Sequence, residues 1–132
     1  MRIYLTHCSA KKDEKLKNSK IEVTPDKLYT SSRLLGFINK CKEDSCKWAI
    51  FSDLYGIWFP TEKHPWYEKH PKKVTEKEFQ QLLSAFDEKL SVYDEIFFYY
   101  NPGRFHTLYK KLLEESRLTK KIIKFSHKSE II

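Results

Sequence analysis

The sequence predicts a single α/β domain, a three-layer sandwich around a central, mostly parallel, four-stranded sheet. Two observations carry this. Short apolar runs alternate with stretches whose apolar residues recur every three or four positions, and that alternation defines βαβ units with a sheet covered on both faces. The chain also has 132 residues, one domain's length, enough to bury roughly two-thirds of its unfolded surface without a disulfide or metal to hold it.

Arg2 to Thr6 reads as a buried first strand, and a polar, lysine-rich loop follows from His7 to Lys20. Thr24-Pro25-Asp26 marks a helix entrance, with Pro25 suited to the first turn and Thr24 placed to cap it. Leu28, Leu34, Leu35, Ile38 and Cys41 can then share one helical face. Lys47 to Ser52 is the second strand, and Asp53 to Pro60 breaks away from it through Gly56. Pro60, Pro65 and Pro71 make the segment from Thr61 to Lys73 a long irregular loop. Thr75-Glu76-Lys77-Glu78 is a capping box, and Phe79, Leu82, Leu83, Phe86 and Leu90 mark the amphipathic helix behind it. Glu95 to Tyr100 is the third strand, ended by Asn101-Pro102-Gly103. Phe105, Leu108, Tyr109, Leu112 and Leu113 mark another helix, and Lys121 to Phe125 the last strand. No repeat or linker divides the chain, so residues 1–132 are expected to form one domain.

A net charge of +7 favours anionic partners, although scattered lysines and glutamates are equally a thermostable surface habit. Three cysteines make an odd count, and Met1-Arg2-Ile3-Tyr4-Leu5 is unlike the apolar core of a signal peptide. The longest apolar run, Ile96 to Tyr100, is too short for a bilayer. The expectation is a soluble cytoplasmic protein with free thiols. Cys41 and Cys46 have a spacing that zinc can use but lack a second pair, so no metal site is expected; no cofactor is assigned.

In open α/β sheets, ligands bind beyond the carboxyl ends of the strands. The first strand's end offers Thr6, His7, Cys8, Ser9, Lys11 and Lys12, the second's Ser52, Asp53, Tyr55 and Gly56. The third's offers Tyr100, Asn101, Gly103, Arg104 and His106, and the fourth's Ser126 and His127. Small hydroxyls followed by lysine suit an anion, though the loop lacks the glycines of a phosphate-binding fingerprint. Arg104, beside a helix start, suits phosphate or carboxylate. Asp53 suits a general base or a base-edge contact. Cys8, near lysines that depress a thiol's pKa, suits a nucleophile, and equally a small core residue. Trp58, Phe59, Trp66 and Tyr67, interleaved with Lys63, His64 and Lys69, suit either base stacking or a lid on the sheet end.

The run of motifs Cys8-Ser9-x-x-Lys12, Leu28-Tyr29-Thr30-Ser31 and Trp48-Ala49-Ile50-Phe51-Ser52-x-x-Tyr55-Gly56-Ile57 resembles the DUF6884 family of small domains. Related domains occur in archaeal enzymes of the archaeosine tRNA-modification pathway. The resemblance implies a uracil-DNA glycosylase-like fold and a nucleobase-related setting. The glycosylase water-activating motif is absent after the first strand, and Asp53 stands where the family carries a small residue. The expected function is binding of a nucleobase, nucleotide or nucleic acid, with Asp53 or His127 as acid or base if a reaction follows. Thr6, Cys8, Ser9, Lys12, Ser52, Tyr55, Gly56, Asn101 and Arg104 are the expected binding residues. A non-catalytic nucleic-acid-binding module and a cysteine-dependent enzyme using Cys8 are the alternatives.

Overall fold

The structure, a computed structural model, describes residues 1–131. The four expected strands are present as β1 (Arg2–His7), β2 (Trp48–Ser52), β4 (Glu95–Tyr99) and β5 (Ile122–Phe125). A fifth, β3 (Gly56–Trp58), was not expected. It pairs antiparallel with β2, so the sheet is five-stranded and mixed, in the order β3-β2-β1-β4-β5. The other strands are parallel, with Tyr4 opposite Trp48 on one side and Phe97 on the other.

The extra strand follows from the turn before it. Ser52 Oγ accepts hydrogen bonds from the Leu54 and Tyr55 N–H groups, and Gly56 takes φ +73°, the left-handed region that favours glycine. The chain reverses there and sets Trp58 opposite Ile50. Ser52 and Gly56, expected as binding residues, are the residues that form this turn.

Four helices cover the sheet: α1 (Pro25–Leu28), α2 (Ser32–Glu43), α3 (Glu76–Leu90) and α4 (Thr107–Glu115). The single helix expected from residue 25 onward is two. The chain is extended at Tyr29 and at Ser31, whose hydroxyl caps the Leu34 N–H and starts α2. Thr24 does not cap α1; its hydroxyl donates to Asp26 instead. The capping box at Thr75 and Glu78 forms as expected.

Because side chains alternate along a strand, each inner strand feeds two cores. Ile3, Leu5, Ala49, Phe51, Ile96 and Phe98 pack with Phe79, Phe86 and Leu112 of α3 and α4. Tyr4, Trp48 and Ile50 pack with Leu34, Phe37, Ile38 and Cys41 of α2. The result is three layers, α1 and α2 on one face and α3 and α4 on the other. Among the described residues no helix is long and apolar enough to cross a membrane.

The Gly56 geometry has a measurable consequence. Gly56→Ala places a Cβ at a left-handed φ and 3.4 Å from Leu82 Cδ2. It is expected to destabilise the fold by about 1–2 kcal/mol, seen as a lower urea midpoint with an unchanged slope. An unshifted midpoint would show that the turn relaxes without cost.

Candidate functional site

The chain leaves β1 toward β2 on one side and leaves β4 toward β5 on the other. The carboxyl ends of β1 and β4 therefore form a topological switch point, where α/β sheets hold ligands. A cleft of about 740 Å³ opens there. It is lined from β1 by His7, Cys8, Ser9 and Lys12, from the start of α2 by Ser31 and Arg33, and from β2 by Asp53. The long loop contributes Glu68, Lys69 and His70, and the β4–α4 segment contributes Asn101, Arg104, His106 and Tyr109.

Lys12 is the most constrained cation in this wall. A short bridge between Lys12 and Tyr29 draws the loop back onto α1, and the residue is only 7% exposed. Its ammonium sits 4.5 Å from the Tyr67 ring centroid, 5.7 Å from Trp66 and 6.0 Å from Tyr29. No carboxylate lies within 4 Å of it among the described residues. Burial lowers its pKa, against the opposing charges of Cys8, Glu68 and Asp53.

Arg33, in the first turn of α2, is half-buried and makes only neutral partners. Nη1 donates to Thr6 Oγ1 at 2.6 Å and Nη2 to the His7 carbonyl at 2.8 Å. The Thr6 hydroxyl in turn donates a hydrogen bond to the Tyr99 carbonyl at 2.7 Å. Thr6 is fully buried, so it supports Arg33 from beneath instead of meeting a ligand. Burial lowers the Arg33 pKa as well.

His7 is 7% exposed, and its ring stacks on Tyr109 at 4.6 Å. Nδ1 lies 3.0 Å from the Cys8 carbonyl, which only accepts, and 3.3 Å from Arg33 Nη2, which only donates; the shorter contact assigns the proton to Nδ1 and leaves Nε2 a bare acceptor. That Nε2 is the one buried side-chain polar atom among the described residues without a hydrogen-bond partner. Burial, then the charge of Arg33, pushes the His7 pKa down to about 3.

On the β2 side, Tyr109 donates to Asp53 Oδ1 at 2.7 Å, and Cys8 Sγ lies 3.7 Å from the same hydroxyl. Burial raises the Asp53 pKa, opposed by hydrogen bonds from Tyr109 and Cys8 and by the charges of His106 and His70. His106 Nδ1 accepts the Leu108 N–H, capping α4, and His70 Nδ1 accepts the Lys72 N–H. Both rings therefore carry their proton on Nε2 when neutral. The wall is thus built mainly of donors, with Asp53 the single buried carboxyl in it.

Of the residues expected from sequence, Cys8, Ser9, Lys12, Asp53, Asn101 and Arg104 meet in this cleft. Tyr55 does not: its hydroxyl donates to the Pro65 carbonyl and its ring stacks on His64 at 3.9 Å. His127 lies outside too, exposed beyond an edge strand whose following residues turn onto α2, where Ile131 is fully buried. It does not line the cleft. Cys8 is no activated thiol, because burial and the Asp53 charge push its pKa up to about 11. Trp58 and Tyr67 are core residues, and Trp66 packs against the same cluster, so the aromatic loop is a lid on the sheet end and not an open stacking platform. Sequence reasoning missed Arg33 and Tyr109, both hidden inside helical periodicities. Among the described residues no group of three or more His, Cys, Asp or Glu side chains sits where it can hold a metal ion.

No family model, no curated protein and no solved structure matches this chain.

Two outcomes test this geometry. Iodoacetamide at neutral pH is expected to modify half-exposed Cys46 first and to spare buried Cys8 and Cys41 in the folded protein, read by peptide mass mapping. Rapid labelling of Cys8 would contradict the burial and raised pKa described above. The second concerns His7. Below about pH 3 both folded and unfolded chains hold its proton, and above 6.5 neither does. Between them only the unfolded chain binds it, so this group makes stability rise with pH at up to about 1.4 kcal/mol per unit. His7→Asn, whose amide can replace the donor to Cys8, is expected to flatten the pH dependence of urea unfolding between pH 4 and 6.5. An unchanged slope would refute a buried neutral His7.

Proposed function

We propose that the cleft at the carboxyl ends of β1, β2 and β4 binds a nucleotide or a nucleic-acid end, with the anionic part of the ligand on Lys12, Arg33 and Arg104. The observation that carries this reading is Lys12: a residue only 7% exposed whose ammonium has no carboxylate within 4 Å among the described residues. A buried charge without a counter-ion is costly, and a ligand anion supplies the missing partner. Arg104, exposed on the facing wall with no side-chain partner among the described residues, and the Nε2–H groups of His70 and His106 extend the donor set. The motif resemblance to the DUF6884 family adds the nucleobase setting and a glycosylase-like fold to this proposal. The mixed ends of the ligand then divide naturally, with Asp53 the group available to a base edge or to proton transfer.

The +7 net charge supports a second reading, a module that holds nucleic acid by charge alone. A thermal-shift screen against nucleobases, nucleosides, nucleotides and short RNA and DNA separates the two. A ligand at a hundred times its dissociation constant stabilises the fold by about 2.7 kcal/mol. Nucleotides are expected to raise the melting temperature, and the Lys12→Met, Arg104→Met double variant is expected to remain folded and lose that rise. Shifts confined to polymers and erased by added salt would favour the charge-driven module. No shift with any of these would remove the nucleotide reading.

A further inference from the structure

The charge of the cleft can be counted. Its lining holds the cations Lys12, Arg33, Lys69 and Arg104 and the carboxylates Asp53 and Glu68, a net charge of +2 with all histidines neutral. The count does not change when outside partners are considered. Lys69 is paired with Glu78 at 3.0 Å, and Glu68 with Lys17 at 3.6 Å, so each is satisfied away from the cleft. What remains is Lys12, Arg33 and Arg104 facing Asp53, again +2.

The fold buries Lys12 and half-buries Arg33. Lys12 is enclosed by rings, and Arg33 spends its hydrogen bonds on a hydroxyl and a carbonyl that bring no negative charge. Two helices also begin at the cleft, α2 of 12 residues behind Ser31 and α4 of 9 residues behind His106, and their amino ends add positive potential. A singly charged group, such as a carboxylate or an internal phosphodiester, leaves half of this charge uncompensated. A terminal phosphomonoester, which carries about −1.5 to −2 at neutral pH, matches it.

Resting on the nucleotide reading above, we infer that the cleft is selective for a terminal phosphomonoester on a nucleoside, and discriminates against phosphodiesters, through the buried Lys12 and the half-buried Arg33. The phosphate meets Lys12 and Arg33 at depth with Ser9 and Ser31 beside them, and Arg104 closes over it from the opposite wall. The same chemistry is presented by a free nucleoside monophosphate and by the phosphorylated end of a strand.

Calorimetric titration of the full chain at pH 7.5 tests the inference. The probes are the four ribonucleoside 5′-monophosphates, their 5′-methyl phosphodiesters and the parent nucleosides. At least one monophosphate is expected to bind ten times more tightly than its methyl ester. That preference should shrink as pH falls through the second phosphate pKa near about 6. Lys12→Met should reduce the preference below threefold. Because this substitution removes an uncompensated buried charge, its melting temperature without ligand should equal or exceed that of the parent. That outcome separates a binding lysine from one that merely holds the loop. Arg33→Lys, which keeps the charge but not the two-pronged donor, should lose part of the preference. Should it unfold, Lys12→Met decides alone. A 5′-phosphorylated ribotetranucleotide binding more tightly than the mononucleotides would assign the phosphate to a strand end, and the reverse order to a free nucleotide. Either order supports the inference provided the 5′-hydroxyl tetranucleotide binds more weakly. Equal affinity for monoester and methyl ester would overturn the inference and leave nucleotide binding standing. No binding by any probe would overturn both.

Discussion

The fork of Arg33 ties the first turn of α2 to the carboxyl end of β1, and through Thr6 to the end of β4. Everything at the cleft depends on that clamp. β1 is the central strand, with β2 and β4 on either side, so fixing its end fixes the loop that carries Cys8, Ser9 and Lys12. The clamp also places a guanidinium, and not a hydrophobic side chain, at the point where two parallel connections diverge. A fold that needed only stability there would do as well with an apolar contact, because buried charge without an opposite partner is a cost. The cost is met at Lys12 and Arg33 alike, in the same cleft, which is the pattern of a site built to receive charge.

Much of the sheet was legible from the sequence because its inner strands are buried on both faces and read as continuous apolar runs. Lys47 to Ser52 and Glu95 to Tyr100 needed no other signal. β3 was not legible: three residues between a glycine turn and Pro60 are too few to show a period, and only their pairing with β2 makes them a strand. The break between α1 and α2 was hidden for a similar reason, since Leu28 and Leu34 continue a helical spacing that the backbone abandons at Tyr29 and Ser31.

At the site, residues at strand ends were found and residues on helices were not. Asp53 and Lys12 follow strands directly, whereas Arg33 reads as a solvent-facing helical position and Tyr109 as an ordinary core residue. Their roles arise only when strand order brings α2 and α4 to the same opening. The opposite error, at His127, has the same root. β5 is an edge strand, so its carboxyl end is one strand removed from β1, and the chain beyond it turns onto α2. Tyr55 was misplaced because its glycine turn starts a hairpin and carries the ring toward His64.

The electrostatics of the cleft follow from burial more than from net charge. Surface lysines such as Lys42 and Lys111 are neutralised by Asp26 and Glu76. Lys12 and Arg33 differ in that the fold withdraws them from water with no carboxylate within 4 Å among the described residues. The nucleotide proposal is therefore one of place: it puts the anionic ligand at the switch point and not on the lysine-rich exterior. Mapping amide chemical-shift changes by nuclear magnetic resonance during titration with a nucleoside monophosphate tests this most directly. The account predicts the largest changes at Ser9, Lys12, Ser31, Arg33, Asp53 and Arg104, saturating together. Small changes scattered over exposed lysines, with none at Lys12 and Arg33, would contradict it.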